Sequence, residues 1–156
     1  MKIVLIIPAR LNSNRLKNKV TIPILSLPMI EHVRRRAIIS KTFKSIYIAT
    51  PDKKIINLIK KYDGKIIITK KKHRSGTSRV GEAIKKISCS HVVVLFADEP
   101  LIEPEILKKF VMKIKKDKVS DIWNATTKIK ISEELRNRSI VKCLVDKKNK
   151  ILNLKR

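Results

Sequence analysis

The chain has 156 residues with 43% apolar content, enough to bury one core, so its length predicts a single domain over residues 1–156. It carries 38 Lys and Arg against 13 Asp and Glu, a formal charge of +25. No run of about 18 apolar residues occurs, and the opening MKIVLIIPAR lacks the long apolar region and small-residue cleavage site of a secretory leader; the expectation is a soluble cytoplasmic protein with no membrane partner.

Taken alone, the charge suggests a surface for nucleic acid or another polyanion. The lysines are spread along the chain, however, in pairs such as Lys53-Lys54, Lys60-Lys61, Lys85-Lys86, Lys108-Lys109 and Lys115-Lys116, beside apolar residues at helical spacing. That is the pattern of solvated helix faces. Isoleucine and lysine are heavily used while Gly is scarce, as AT-rich coding would produce, and aromatic residues able to stack bases are few. Nucleic acid is therefore not the expected partner, and a basic polyanion-binding protein remains the non-enzyme alternative. Cys89 and Cys143 lack companions at zinc-binding spacing and are expected as buried, reduced thiols.

In chain order, residues 2–7 (KIVLII) form a continuous apolar, β-branched run closed by Pro8, which predicts a strand buried on both faces. Pro28 opens a helix running to about Ser40, with Met29, Ile30, Val33 and Ala37 at helical spacing. A strand follows over residues 45–50, a helix capped by Asp52 over residues 52–62, and a strand over residues 65–69. Residues 77–87 read as a helix, 91–96 as a second fully apolar strand, and 104–116 as a helix with Pro in its first turn. This alternation predicts an open, three-layer α/β fold, Rossmann-like, with a mainly parallel sheet. Beyond Asp121 the pattern changes: DIWNATTKI and SIVKCLVDKKNKILNL read as strands without a long helix, the latter folding back at residues 147–150, and are expected to add mixed or antiparallel strands to one edge.

Ligands of open α/β sheets bind at the carboxyl ends of the strands, which singles out three segments. After the first strand, Arg10, Arg15 and Lys19 could neutralise a triphosphate and the charge gathering on a pyrophosphate leaving group, or could be an ordinary basic loop. After the third, Ser75-Gly76-Thr77 precedes a helix, where free N–H groups and an unhindered glycine allow close approach of a ligand, although Thr77 reads equally as an N-cap. After the most apolar strand stand Asp98 and Glu99; Asp98 suits a hard cation such as Mg²⁺ held by one or two carboxylates and phosphate oxygens.

The ordered motifs Arg10-x-x-Ser13-x-Arg15-Leu16, Lys19, Pro28-Met29-Ile30-x-His32-Val33, Ala49-Thr50-x-Asp52, Ser75-Gly76-Thr77-x-Arg79 and Asp98-Glu99-Pro100-Leu101-Ile102 together resemble the 3-deoxy-manno-octulosonate cytidylyltransferases, the CMP-Kdo synthetases. The resemblance implies a fold of the nucleotide-diphospho-sugar transferase type. It also implies transfer of CMP from CTP to the sugar acid Kdo with Mg²⁺, giving CMP-Kdo and pyrophosphate for lipopolysaccharide assembly, in an enzyme that pairs as a homodimer. Carried over, Arg10, Ser13, Arg15 and Lys19 would hold the CTP phosphates, Ser75, Gly76, Thr77 and Arg79 would line the nucleotide pocket, and Asp98 would bind Mg²⁺. Arg10, Lys19 and Asp98 would then be the catalytic groups. A related acylneuraminate-type cytidylyltransferase and a decayed, inactive homologue are the alternatives.

The chain departs from the family pattern at several points. Lys17-Asn18 stand where Pro-Gly is usual, Ser78 where Asp is expected, Phe96-Ala97 in place of Gln-Gly, and Ser26-Leu27 in place of Gly-Lys. Losing a Gly before Lys19 is expected to restrict a phosphate-cradling turn, and Phe96 to add bulk where substrate approaches. Family members continue beyond the position of Arg156 with a second metal-binding Asp and much of the sugar pocket, so the expectation is an incomplete chain with little turnover of its own.

Overall fold

The structure, a computed structural model, describes residues 1–12 and 16–155. The chain divides into two compact units, Met1–Lys118 and Val119–Arg156, a boundary close to Asp121, where the alternation of strands and helices ends.

The first unit is built on four parallel strands, β1 (Ile3–Pro8), β4 (Ile46–Thr50), β5 (Lys65–Ile68) and β6 (His91–Val94), in the order β5-β4-β1-β6. Every residue of β1 is buried, as its unbroken apolar run requires of a strand between two layers. On one face Ile6 joins Ala49 and Ile67 under Val80 and Ala83 of helix α3 (Gly76–Ile84). Alternation turns Leu5 and Ile7 to the opposite face. Helices α1 (Met29–Ile39), α2 (Lys53–Lys60) and α4 (Pro104–Lys116) bury the stripes Ile30, Val33 and Ala37, then Ile55 and Ile59, then Leu107, Val111 and Ile114. Burying one such side chain is worth about 1.5–3 kcal/mol, so these stripes, rather than helix propensity, hold the helices in place.

The path of the chain decides where a ligand can enter. From β1 it moves outward through β4 to β5, then returns to lay β6 on the other side of β1. The strand order reverses between β1 and β6, and the crevice at their carboxyl ends is the topological switch point.

A small hairpin, β2 (Pro23–Ile24) with β3 (Leu27–Pro28), lies between β1 and α1 and was not predicted. Leu25 and Ser26 form its turn with φ of 46° and 66°, the two left-handed positions of a type I′ turn. The His32 Nε2–H donates to the Ile24 carbonyl at 2.8 Å and pins the hairpin to α1. On the same helix Glu31 is fully buried, accepting from Arg34 at 2.6 and 2.8 Å and from Arg35 at 2.9 Å.

In the second unit, β7 (Lys142–Val145) and β8 (Ile151–Lys155) form the predicted hairpin, with Asn149 in the left-handed region at φ 62°. Both antiparallel pairs form two-stranded sheets of their own rather than extending the parallel one. The strand expected within DIWNATTKI is absent among the described residues, and a short helix, α5 (Ser132–Arg136), follows instead. Cys89 and Cys143 are unpaired and half-buried rather than buried. Among the described residues no helix is long and apolar enough to cross a membrane.

Candidate functional site

The loop after β1 leaves the sheet through Ala9, whose N–H donates to the Ala49 carbonyl at 2.9 Å, and places Arg10 in solvent. It closes on itself where the Asn18 N–H donates to the Leu11 carbonyl at 3.2 Å, and a 3₁₀ turn, Lys19–Thr21, follows. Asn18 stands at φ 56°, ψ 22°. This is the left-handed conformation that the usual glycine would supply, and Asn is among the non-glycine residues that best tolerate it. The expected restriction of the turn therefore does not arise.

Asp52 holds this loop from across the sheet. Although it occupies the N-cap position of α2, its side chain makes no capping bond; Oδ2 accepts instead from the Leu11 N–H at 2.8 Å. The Asp52 N–H is taken by Thr50 Oγ1 at 3.2 Å, which turns the carboxylate toward β1.

Lys19 and Asp98, named separately in the sequence, are in direct contact through Nζ and Oδ2. A cation from the β1 loop thus meets a carboxylate from the loop after β6. Glu99, beside Asp98, has its carboxyl raised above the ordinary range, first by desolvation and second by the Asp98 charge.

Gly76 brings the third segment in. A Cβ built there would lie 3.0 Å from Phe96 Cε1 and 3.2 Å from Pro8 Cγ, so the first turn of α3 packs on the ends of β1 and β6. Only a residue without a side chain fits this approach without displacing its neighbours. Phe96 is 44% exposed and lays its ring edge on Gly76, so the bulk expected in the substrate's path rests against α3.

The cap of α3 is Ser75, not Thr77. Ser75 Oγ accepts from the Ser78 N–H at 3.0 Å and Ser78 Oγ accepts from the Ser75 N–H at 3.2 Å, a reciprocal capping box. The Ser that replaces an expected Asp thus closes the helix start and leaves Thr77 exposed on its first turn. Arg79 is 3% exposed and donates to Thr69 Oγ1 and to the Lys70 and Lys71 carbonyls at 3.0 and 3.4 Å. Burial lowers its pKa, the Asp52 charge opposes that, and the Arg10 charge adds to it. The Arg10 and Asp52 charges therefore both reach Arg79, which braces the chain after β5.

Ser13 and Arg15 lie outside the described residues. Of the remaining expected residues, Lys19 touches Asp98, the Arg10 charge acts on Arg79, and Ser75, Gly76 and Thr77 start α3 against Pro8 and Phe96. Three residues went unnoticed as site residues in the sequence: Asp52, the loop tether, and His73 with Glu82. Glu82 accepts from the Lys70 N–H at 3.0 and 3.2 Å and from His73 Nε2–H at 2.8 Å, contacts that lower its pKa, the Lys70 bond foremost. A cavity of about 260 Å³ between Lys41, Lys44, Ser45 and Lys65 opens at the amino ends of β4 and β5, opposite to where such sheets bind ligands.

For a metal, the fit is specific. Among the described residues no group of three or more His, Cys, Asp or Glu could hold a cation by itself. One exposed carboxylate beside a cationic loop does fit Mg²⁺ that arrives on a triphosphate, since this ion keeps waters and needs only one or two protein carboxylates.

Parallel sheet, switch-point crevice and cationic loop define an α/β domain of the nucleotidyltransferase fold. A family profile described as cytidylyltransferase matches residues 4–156, and the chain belongs to that family. It is 34% identical over 155 residues to the 3-deoxy-manno-octulosonate cytidylyltransferase of Thermodesulfovibrio yellowstonii, covering 94% of this chain and 60% of the relative. It is also 34% identical to the 8-amino-3,8-dideoxy-manno-octulosonate cytidylyltransferase of Shewanella pealeana, over 100% of this chain and 65% of that protein. A solved CMP:2-keto-3-deoxy-manno-octonic acid synthetase complexed with CTP superposes with a TM-score of 0.88 at 28% identity, over 99% of this chain and 64% of the other. The chain thus spans roughly 60–65% of the length of these relatives.

Proposed function

We propose that this chain carries the CTP-binding machinery of a cytidylyltransferase that transfers CMP to 3-deoxy-D-manno-octulosonate, releasing pyrophosphate and supplying CMP-Kdo for lipopolysaccharide biosynthesis. The observation that carries the reading is the Lys19–Asp98 contact, in which a cation from the loop after β1 and a carboxylate from the loop after β6 converge. The likeness to a synthetase solved with CTP supports it.

In this reading Arg10, Ser13, Arg15 and Lys19 hold the CTP phosphates. Ser75, Gly76 and Thr77 line the nucleotide pocket, with Arg79 fixing the turn that precedes them. Asp98 holds Mg²⁺, which when bound neutralises phosphate charge. Attack of the sugar hydroxyl on the α-phosphorus, its proton passing to solvent, breaks the bond to the bridging oxygen, and Arg10 and Lys19 stabilise the charge gathering on pyrophosphate. The barrier falls through positioning and charge stabilisation. Lys19 must exchange its Asp98 contact for phosphate when ligand arrives. Such a switch keeps both charges paired in each state.

The relatives named for the 8-amino sugar favour one second reading, an amino analogue as acceptor. Pyrophosphate release from CTP and Mg²⁺ with each sugar acid separates the two. Binding is tested by melting temperature, because a ligand that binds only the folded state stabilises it. CTP should raise it more than ATP does; Lys19→Ala and Arg15→Ala should remove most of the rise, and Lys116→Ala should leave it intact. Equal responses to every triphosphate would reduce the site to bulk charge.

A further inference from the structure

Between the β5 end and α3 stands a chain of contacts that the proposed reaction does not use. His73 is held from both sides: Nε2–H donates to Glu82 Oε2 at 2.8 Å, and Nδ1 lies 3.3 Å from Ser78 Oγ. The imidazole is only 12% exposed at its side chain. Ser78 Oγ has two further contacts, accepting from the Ser75 N–H at 3.2 Å and donating to the Ser75 carbonyl at 2.9 Å.

Proton counting distinguishes the two forms of the ring. A hydroxyl has one proton and two acceptor positions. With neutral His73, whose one proton is committed to Glu82, Nδ1 can only accept, so the Ser78 proton must choose between Nδ1 and the Ser75 carbonyl. One contact is left unmade. With the imidazolium, Nδ1–H donates to Ser78 Oγ, which also accepts from Ser75 N–H and gives its own proton to the Ser75 carbonyl. All four contacts are then made at once, with the one proton and both acceptor positions of Ser78 Oγ used.

We propose that His73 is a positioning residue that, in its protonated form, locks the Ser75–Ser78 turn for a bound triphosphate. The proposal rests on the nucleotide reading of that turn. Charges around the ring support it: Glu82 on α3 is the acid facing it, Lys86 pairs with Glu82 at 3.6 Å, and the Arg79 guanidinium is occupied by the Lys70 and Lys71 carbonyls. Its sequence neighbours Lys72 and Arg74 are exposed, and the Glu82 carboxylate is the group in direct contact with the ring. Imidazole is the side chain whose two protonation forms are both within experimental reach near neutrality, so the lock can be probed by varying pH.

The test compares the full chain with His73→Gln, and with Ser78→Ala in case the first variant folds poorly, between about pH 6 and about pH 8. Two quantities are read: hydrogen-exchange protection of the Ser78 amide in the free protein, and the Kd for CTP with Mg²⁺. Intrinsic exchange chemistry and the ligand's own ionisation are common to wild type and variants, so they cancel in the comparison. The expected result is that wild-type protection falls with rising pH while the variants lose this dependence. Wild-type CTP affinity should fall roughly fivefold or more beyond the fall in the variants. Protection that depends on pH identically in wild type and variants overturns the lock, whatever CTP does. A turn that responds while CTP binds at no pH overturns the nucleotide assignment of the turn and the role toward triphosphate with it. CTP binding whose pH dependence survives His73→Gln overturns the positioning role alone.

Discussion

Replacing Asp52 separates two accounts of one carboxylate. As an N-cap it would hold the first turn of α2; as placed, it holds the β1 loop through the Leu11 N–H at 2.8 Å and leaves the helix cap unmade. A hydrogen bond to an ionised acceptor is worth about 1.5–3 kcal/mol net, and the half-buried site places this one at about 1.5–2 kcal/mol. For a domain of this size that is a fall of roughly 6–8 °C in melting temperature for Asp52→Ala. Asp52→Asn keeps a neutral acceptor and should lose about half as much. Hydrogen exchange locates the damage: Leu11 and Asn18 amides should lose protection, while Ile56, whose N–H bonds the Asp52 backbone carbonyl at 3.0 Å, should keep it. The CTP response should weaken with the loop, since Arg10 adjoins Leu11. Faster exchange confined to α2, with Leu11 unchanged, would refute the tether and restore the cap.

Glu31→Ala should cost about 3–5 kcal/mol in a urea melt, because it strands the mostly buried Arg34. Arg35→Ala, at a 53% exposed partner, should cost under about 1 kcal/mol. Glu82 has a folded pKa below its unfolded one, so its contribution is complete above the unfolded value and disappears as pH falls through the depressed folded value. Wild type should therefore melt above Glu82→Gln near neutrality, and the two curves should converge in acid; a constant gap at all pH values would show that the carboxylate charge is irrelevant.

Legibility of the fold followed the range of the interactions. Residues 3–7 and 104–116 announce themselves because burial imposes an unbroken apolar run on one and a helical stripe on the other. The β2–β3 hairpin does not, since two-residue strands have no period and Leu25 and Ser26 are not residues that advertise positive φ. The apolar residues of DIWNATTKI suggest a strand, yet residues 121–129 form none among the described residues. Lys19 and Asp98 stand out in the sequence by residue type and by position after a strand, and the fold brings the two into contact. Asp52 occupies the predicted N-cap position, but its side chain bonds a partner 41 positions away, which no local pattern encodes. His73 and Glu82 are nine residues apart, and only the turn between β5 and α3 makes them neighbours.

Asn18 tests whether a sequence departure matters once its backbone is known. At φ 56° and ψ 22° the chain before Lys19 needs a left-handed residue, and an L side chain without local hydrogen bonding pays about 1–2 kcal/mol there. Asn18→Ala should therefore destabilise by about 1 kcal/mol and loosen the bonds that Thr21 N–H and Oγ1 make to the Asn18 carbonyl at 2.9 and 3.0 Å. Asn18→Gly restores the usual residue: it relieves the remaining strain but frees the unfolded chain, two effects of similar size and opposite sign. The expected outcome is a stability change within about 0.5 kcal/mol and an unaltered rise in melting temperature with CTP. If glycine instead strengthens the CTP response tenfold, backbone geometry is not what limits the loop, and close approach of the phosphates to the Cβ at position 18 must be. That result would return the departure to the site as a defect, whereas equality of the two chains makes it a neutral exchange between residues that share one conformation.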